Sequence, residues 1–184
     1  QALVLAFVQG ITEFLPVSSS GHLILVPKLL GWEDQGLAFD VAVHVGTLLA
    51  VVVYFRRDLA LILNDTFRNL FGGPSTEHSR LGWQVAFATI PVGLTGLLFG
   101  DWIEAAMRDP RWIAFVMVIF AVVLWWIDKH NQQKRGLGEI NWRDVLVIGV
   151  AQAIALLPGV SRSGMTIAAA LMMGLNRDAA ARYS

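Results

Sequence analysis

The chain has 184 residues, 55% of them hydrophobic and only 15% charged, against roughly 25% charged residues in an ordinary soluble domain. Its formal net charge is zero and it contains no cysteine. The first removes the electrostatic case for a nucleic-acid partner, and the second excludes disulfides, iron–sulfur clusters and cysteine nucleophiles. The apolar residues come in runs rather than singly, so the solvent they imply is lipid.

In chain order, Ala2–Leu15 is apolar but only about 14 residues long, which is too short to cross a bilayer and suits a re-entrant segment. It lacks a basic leader and runs into polar residues, so no cleavable signal peptide is expected. Pro-Val-Ser-Ser-Ser-Gly-His follows, then a short helical stretch at His22–Leu30, giving a predicted re-entrant hairpin over residues 1–31. Leu37–Phe55 is a predicted span, apolar apart from Asp40 and His44 and closed by Arg56 and Arg57. Leu59–Phe71 reads as a short interfacial helix. Leu81–Gly100 is a second, uncharged span whose Pro91 and glycines a membrane helix tolerates. Trp112–Ile127 is the third, with aromatic residues at both ends. Val145–Leu157 is again too short to cross, and with Pro-Gly-Val-Ser-Arg-Ser-Gly and Met165–Leu175 it forms a predicted second re-entrant hairpin over residues 145–175.

The connections set an orientation. The first, Arg56–Arg80, carries Arg56, Arg57, Arg68 and Arg80; the third, Asp128–Asp144, carries Lys129, Lys134, Arg135 and Arg143. The intervening Asp101–Arg111 connection sets Arg108 and Arg111 against Asp101, Glu104 and Asp109. Basic loops face the cytoplasm, and three successive crossings place the first and third on one side. The two hairpin tips also match: Leu15-Pro16-Val17-Ser18-Ser19-Ser20-Gly21 against Leu157-Pro158-Gly159-Val160-Ser161-Arg162-Ser163-Gly164. An odd number of spans separates them, so they insert from opposite sides. The expected fold is therefore an all-α polytopic membrane bundle, one domain, with two re-entrant helix hairpins in an inverted-topology repeat.

Candidate chemistry lies at those tips. Glu13 stands in an apolar run, where a carboxylate costs on the order of 2.5–3.5 kcal/mol to insert, and Gln9 lies on the same helix face. Together they can turn oxygens toward a cation or a phosphoryl proton; the plainer reading puts Glu13 at the headgroup boundary. Ser18, Ser19, Ser20 and Gly21 open a helix whose unpaired N–H groups attract anions, although serine is also an ordinary N-cap. His22 can serve as base, acid or nucleophile. Arg162, flanked by Ser161 and Ser163 and one turn from Thr166, offers a planar fork for phosphate; its structural alternative is an ion pair with Glu13. His44 and Asp40 read as packed, hydrogen-bonded polar residues, and the tryptophans as interfacial anchors.

Gln9-Gly-Ile-Thr-Glu13-Phe-Leu-Pro16-Val-Ser-Ser-Ser-Gly-His22, with Leu157-Pro-Gly-Val-Ser-Arg162-Ser-Gly-Met-Thr166, closely resembles the undecaprenyl-diphosphate phosphatases of bacteria, the family linked to bacitracin resistance. The likeness covers nearly the whole chain. Members are about half as long again, in keeping with more crossings, so this chain is expected to lack their C-terminal helices. The resemblance implies hydrolysis of undecaprenyl diphosphate to the monophosphate carrier in the bacterial plasma membrane, at a site open to the extracytoplasmic side and helped by a divalent cation, Mg²⁺ or Ca²⁺. It makes Glu13, His22 and Arg162 the essential trio and Ser19 the nucleophilic or phosphate-binding serine. Ser18, Ser20, Gly21, Ser161, Ser163 and Thr166 are the expected substrate contacts, and Glu13 with Gln9 the expected metal ligands. Some members have Glu at the position of Gln9, so one metal oxyanion is absent here. Polyprenyl diphosphate and membrane lipid are the expected partners, with a homodimer as the candidate assembly. A lipid or anion transporter built on the same repeat is the competing function.

Overall fold

A computed structural model of the chain describes residues 1–107, 109–132 and 134–184, without the side chains of Asp101, Glu104, Ala105 and Ala106. Arg108, one of the two basic residues assigned above to the middle connection, lies outside the described residues. The described chain forms nine α-helices: α1 Ala2–Thr12, α2 Ser19–Leu30, α3 Leu37–Tyr54, α4 Arg56–Leu70, α5 Glu77–Ala106, α6 Pro110–His130, α7 Trp142–Ile154, α8 Arg162–Met172 and α9 Arg177–Tyr183, with a 3₁₀ turn at Leu137–Glu139.

Three helices are long and apolar enough to cross a membrane: Leu37–Tyr54, Glu77–Gly100 within α5, and Pro110–His130. They coincide with the predicted spans. No residue of α3 is buried, which in water would be untenable for so apolar a helix and in lipid is expected. Two of the three are started by explicit caps. The Thr76 hydroxyl accepts from the Ser79 N–H while the Ser79 hydroxyl accepts from the Thr76 N–H, and Asp109 caps α6 ahead of Pro110, which has no N–H to lose. Helix α5 runs on to Ala106, so Asp101–Ala106, read above as connection, is helical backbone.

The two short apolar segments behave differently from the spans. Each is a helix, a break and a second helix packed against the first: α1 against α2, and α7 against α8. Pro16 and Pro158 sit in the breaks, where a helix cannot continue without losing a hydrogen bond. α6 packs against both α2 and α8 and so joins the two units.

Small residues make the closest packing. Gly149 brings α7 so near α5 that a Cβ there would lie 2.9 Å from the Ala88 carbonyl oxygen, and Ala168, Ala169 and Ala170 are buried on α8. This is how helices associate in lipid, where side-chain hydrophobicity offers no gain. Among the buried polar groups, the Gln84 amide donates to the Ile140 carbonyl at 2.9 Å. Asp144, fully buried, receives Arg135 in a two-pronged pair at 3.1 and 2.6 Å. Its carboxylate also accepts from the Asn141 N–H at 2.8 Å, and Arg135 reaches the Met173 carbonyl at the end of α8 at 2.7 Å. The carboxylate hydrogen bond raises the Arg135 pKa above its ordinary value. One ion pair thus ties the connection before α7 to the far end of α8.

Asp144→Ala leaves that guanidinium without its partner and removes a cap, so a loss on the order of 3 kcal/mol is expected. Thermal unfolding in detergent checks this; a melting curve superimposable on the parent's would show the pair to be dispensable.

Candidate active site

The first tip begins where α1 stops. Glu13 is the C-cap of α1, its N–H still bonded to the Gln9 carbonyl at 2.8 Å, and Gln9 on the same face is buried. The chain then passes Pro16 and re-enters a helix at Ser19. Ser18, at φ 62°, is the N-cap of α2, and its hydroxyl accepts from the Gly21 N–H at 3.3 Å. The second tip repeats this chemistry. Ser161 is the N-cap of α8 and its hydroxyl accepts from the Gly164 N–H at 3.1 Å. The Ser18 and Ser20 hydroxyl oxygens are 3.4 Å apart, those of Ser161 and Ser163 3.1 Å. Ser18 and Ser161 therefore spend their hydroxyls on capping, the plainer of the two roles foreseen for Ser18 and one not foreseen for Ser161, while the N–H groups of the first turn in each helix still point outward without helical partners.

The tips meet. A Cβ on Gly164 would lie 3.2 Å from the Pro16 Cβ and 2.8 Å from the ring of Phe120 on α6. Gly159, at φ +93°, lies so close to α6 that a Cβ would stand 2.8 Å from the Ile113 carbonyl oxygen. Between the tips is a cavity of about 260 Å³ whose walls include Pro16 and His22 from one, Gly159 and Ser161 from the other, and Met117 and Phe120 of α6. His22 donates its Nδ1–H to the Ser18 carbonyl at 2.8 Å, which orients the ring and leaves Nε2 uncommitted at the cavity.

Beside the cavity is a polar cluster on a single carboxylate oxygen. Glu13 Oε2 accepts from the Ser19 hydroxyl at 2.5 Å and from the Gln9 amide at 3.2 Å, and lies 3.2 Å from His44 Nε2. His44 Nε2 is also 3.3 Å from the Ser19 hydroxyl oxygen, and the Gln9 amide reaches the Thr47 hydroxyl at 3.2 Å. Arg162 is exposed and forms no ion pair within 4 Å among the described residues, so the Glu13–Arg162 pairing weighed above is not present as a contact. Its charge nevertheless falls within electrostatic range of Glu13. Thr166 is buried and turned back on its own helix, donating to the Ser163 carbonyl at 2.9 Å, with its hydroxyl 2.6 Å from that of Ser184.

The histidine touching Ser19 is thus His44, not His22. His44 and Thr47 are the residues sequence reasoning undervalued. The available signal was the spacing: Asp40, His44 and Thr47 fall at intervals of four and three on α3, one polar stripe on an apolar helix.

As a cation site the cluster is sparse. Among the described residues no group of three or more His, Asp or Glu side chains is arranged around a point. Glu13 Oε1 and the Gln9 amide oxygen accept no hydrogen bond from the described residues, so each keeps one hard oxygen free. That fits an ion held chiefly by a ligand's own phosphate oxygens with one or two protein donors, the usual arrangement for Mg²⁺.

Comparison with known proteins gives a consistent picture. Residues 2–184 match the family described as Bacitracin resistance protein BacA. Undecaprenyl-diphosphatase 1 of Pseudoalteromonas translucida (strain TAC 125) is 51% identical over 184 residues, which is 100% of this chain and 69% of that protein. The undecaprenyl-diphosphatase of Thioalkalivibrio sulfidiphilus (strain HL-EbGR7) is 56% identical over the same shares, and undecaprenyl-diphosphatase 2 of Stutzerimonas stutzeri (strain A1501) is 54% identical over 187 residues, again 100% of this chain and 69% of that protein.

Gly159→Ala puts a methyl group against the Ile113 carbonyl at a left-handed backbone position, with an expected cost of roughly 2 kcal/mol or more. A fall in melting temperature in detergent is the readout, and an unchanged one would mean the second tip does not sit against α6 this closely.

Proposed function

The chain belongs to the bacitracin resistance protein BacA family, and from that membership we propose that it is an integral membrane phosphatase. It hydrolyses undecaprenyl diphosphate to undecaprenyl phosphate and phosphate, returning the lipid carrier to cell-wall synthesis. The observation that supports this best is the approach of the two tips: two helix N-termini and a histidine ring meet at one cavity, with the Glu13 carboxylate bonded to Ser19 at the start of α2 and Arg162, at the start of α8, within electrostatic range of it.

In this reading α1–α2 and α7–α8 are re-entrant hairpins of an inverted-topology repeat and enter the bilayer from opposite sides. The protein resides in the bacterial plasma membrane with its basic connections in the cytoplasm and its site open to the extracytoplasmic side. The lipid tail stays among the helices while the diphosphate enters between the tips. Arg162 and the first-turn N–H groups of α2 and α8 hold the terminal phosphoryl group, as charge-assisted donors and helix dipoles do for phosphate elsewhere. A divalent cation, held by the substrate's oxygens with Glu13 and Gln9, would offset the charge on the departing phosphate.

The chain's own groups supply the proton transfers. Glu13 accepts the Ser19 proton across the 2.5 Å hydrogen bond as the serine oxygen attacks the terminal phosphorus. The bond to the bridging oxygen breaks and undecaprenyl phosphate leaves with that electron pair. Water, deprotonated by the uncommitted Nε2 of His22, then displaces the serine and releases inorganic phosphate, and Ser19 regains its proton from Glu13.

Phosphate release from the detergent-solubilised protein tests the reading. Turnover of undecaprenyl diphosphate is expected, and Arg162→Ala should lower it by at least about 100-fold, as loss of a preorganised charge at a phosphoryl group does. Tight binding of the lipid with no phosphate released would instead indicate a carrier or flippase.

A further inference from the structure

Helix α3 is an apolar helix long enough to span, with no buried residue, yet it carries Asp40, His44 and Thr47 on one stripe. A polar stripe on a spanning helix is costly unless its members find partners, and here the partners of His44 and Thr47 include Glu13, Ser19 and Gln9 of the candidate active site. His44 donates its Nδ1–H to the Asp40 carbonyl one turn earlier, at 2.6 Å, which fixes the plane of the ring and aims Nε2 at the first tip. Nε2 lies between Glu13 Oε2 at 3.2 Å and the Ser19 hydroxyl oxygen at 3.3 Å. With Nδ1–H already given away, the contact with a carboxylate oxygen is attractive when Nε2 also carries a hydrogen, so His44 is the donor. Thr47 holds the next position, donating to the His44 carbonyl at 3.0 Å and accepting from Gln9 at 3.2 Å.

Glu13 ends one helix and Ser19 begins the next, so their separation depends on how α1 and α2 pack across the break and on the groups that bridge it. The imidazole of His44 touches both. We infer that His44 is a positioning residue for the hydrolysis: from α3 it sets the Glu13 carboxylate and the Ser19 hydroxyl in the geometry in which the serine proton passes to Glu13. Its N–H occupies one lone pair of the serine oxygen and leaves the other free to attack. It acts by donating a hydrogen bond, not by taking up the proton. The inference rests on the phosphatase reading above.

This assignment separates variants that removal of a packing residue would not. His44→Ala should lower kcat about 10- to 100-fold with KM within about threefold of the parent, the scale of effect of misplacing reacting groups without losing the ligand. His44→Gln keeps an N–H donor at similar reach and should recover most of that loss. Both variants should bind a methylene-bridged polyprenyl bisphosphonate as the parent does, which establishes a folded site. Unchanged kcat in His44→Ala overturns the inference, as does a His44→Gln as inactive as His44→Ala, since that would require the ring itself to carry the proton. Loss of bisphosphonate binding in both variants also overturns it, because His44 would then hold the fold. A parent enzyme that releases no phosphate removes the phosphatase reading, and this inference with it; a parent that turns over beside an unaffected His44→Ala removes this inference alone.

Discussion

A carboxylate in a membrane must be given hydrogen-bond donors by the protein, because lipid supplies none. Glu13 is given them by residues from three helices at once. Gln9 comes from α1, Ser19 from α2 and His44 from α3, and all three converge on one oxygen at 2.5 to 3.2 Å. Much of the first half of the chain serves this arrangement. The break after Thr12 places Glu13 at a helix end, the Ser18 cap starts α2 in time to bring Ser19 back to it, and the stripe on α3 closes the third side.

The second half solves a different problem, which is to hold an arginine and a second helix N-terminus against the first tip. It does so with small residues and one strong ion pair. Glycines at 149 and 159 let backbones approach to distances no side chain permits, Gly164 makes room for the Phe120 ring and Pro16, and the alanines of α8 are buried. The Arg135–Asp144 pair fastens the outer end of the same unit. Close packing of small residues and one ion pair divide the work, as expected where apolar burial alone gives helices no reason to associate.

Much of this was legible in the amino-acid order. The three spans were readable from length and apolarity, and the two helix–break–helix units from short apolar runs ending in proline and serine. Helix starts were misjudged in a consistent way. α2 and α8 were expected to begin at His22 and Met165 and begin at Ser19 and Arg162, because the serine before each helix acts as its cap. Asp101–Ala106 was read as connection because it is polar, yet a helix that has left the apolar layer continues while its backbone bonds hold. His44 was visible as a polar residue but not as a member of the site. Its partner Ser19 is 25 residues away, and only the folded chain brings them together. The Arg135–Asp144 pair was opaque for the same reason, being set by how the connection folds back onto α8.

The site depends on two tips, far apart in sequence, touching. The chain has no cysteine, so a Pro16→Cys/Gly164→Cys variant, made in a Phe120→Ala background to clear the ring that a Gly164 side chain would meet at 2.8 Å, introduces the only two thiols. Their Cβ positions are 3.2 Å apart as built, close to the roughly 3.5–4.5 Å of a disulfide. Mild oxidation in the membrane should cross-link them within one chain and protect both from maleimide. Two thiols that stay free and alkylate fully after oxidation would place the tips apart, and the site with them.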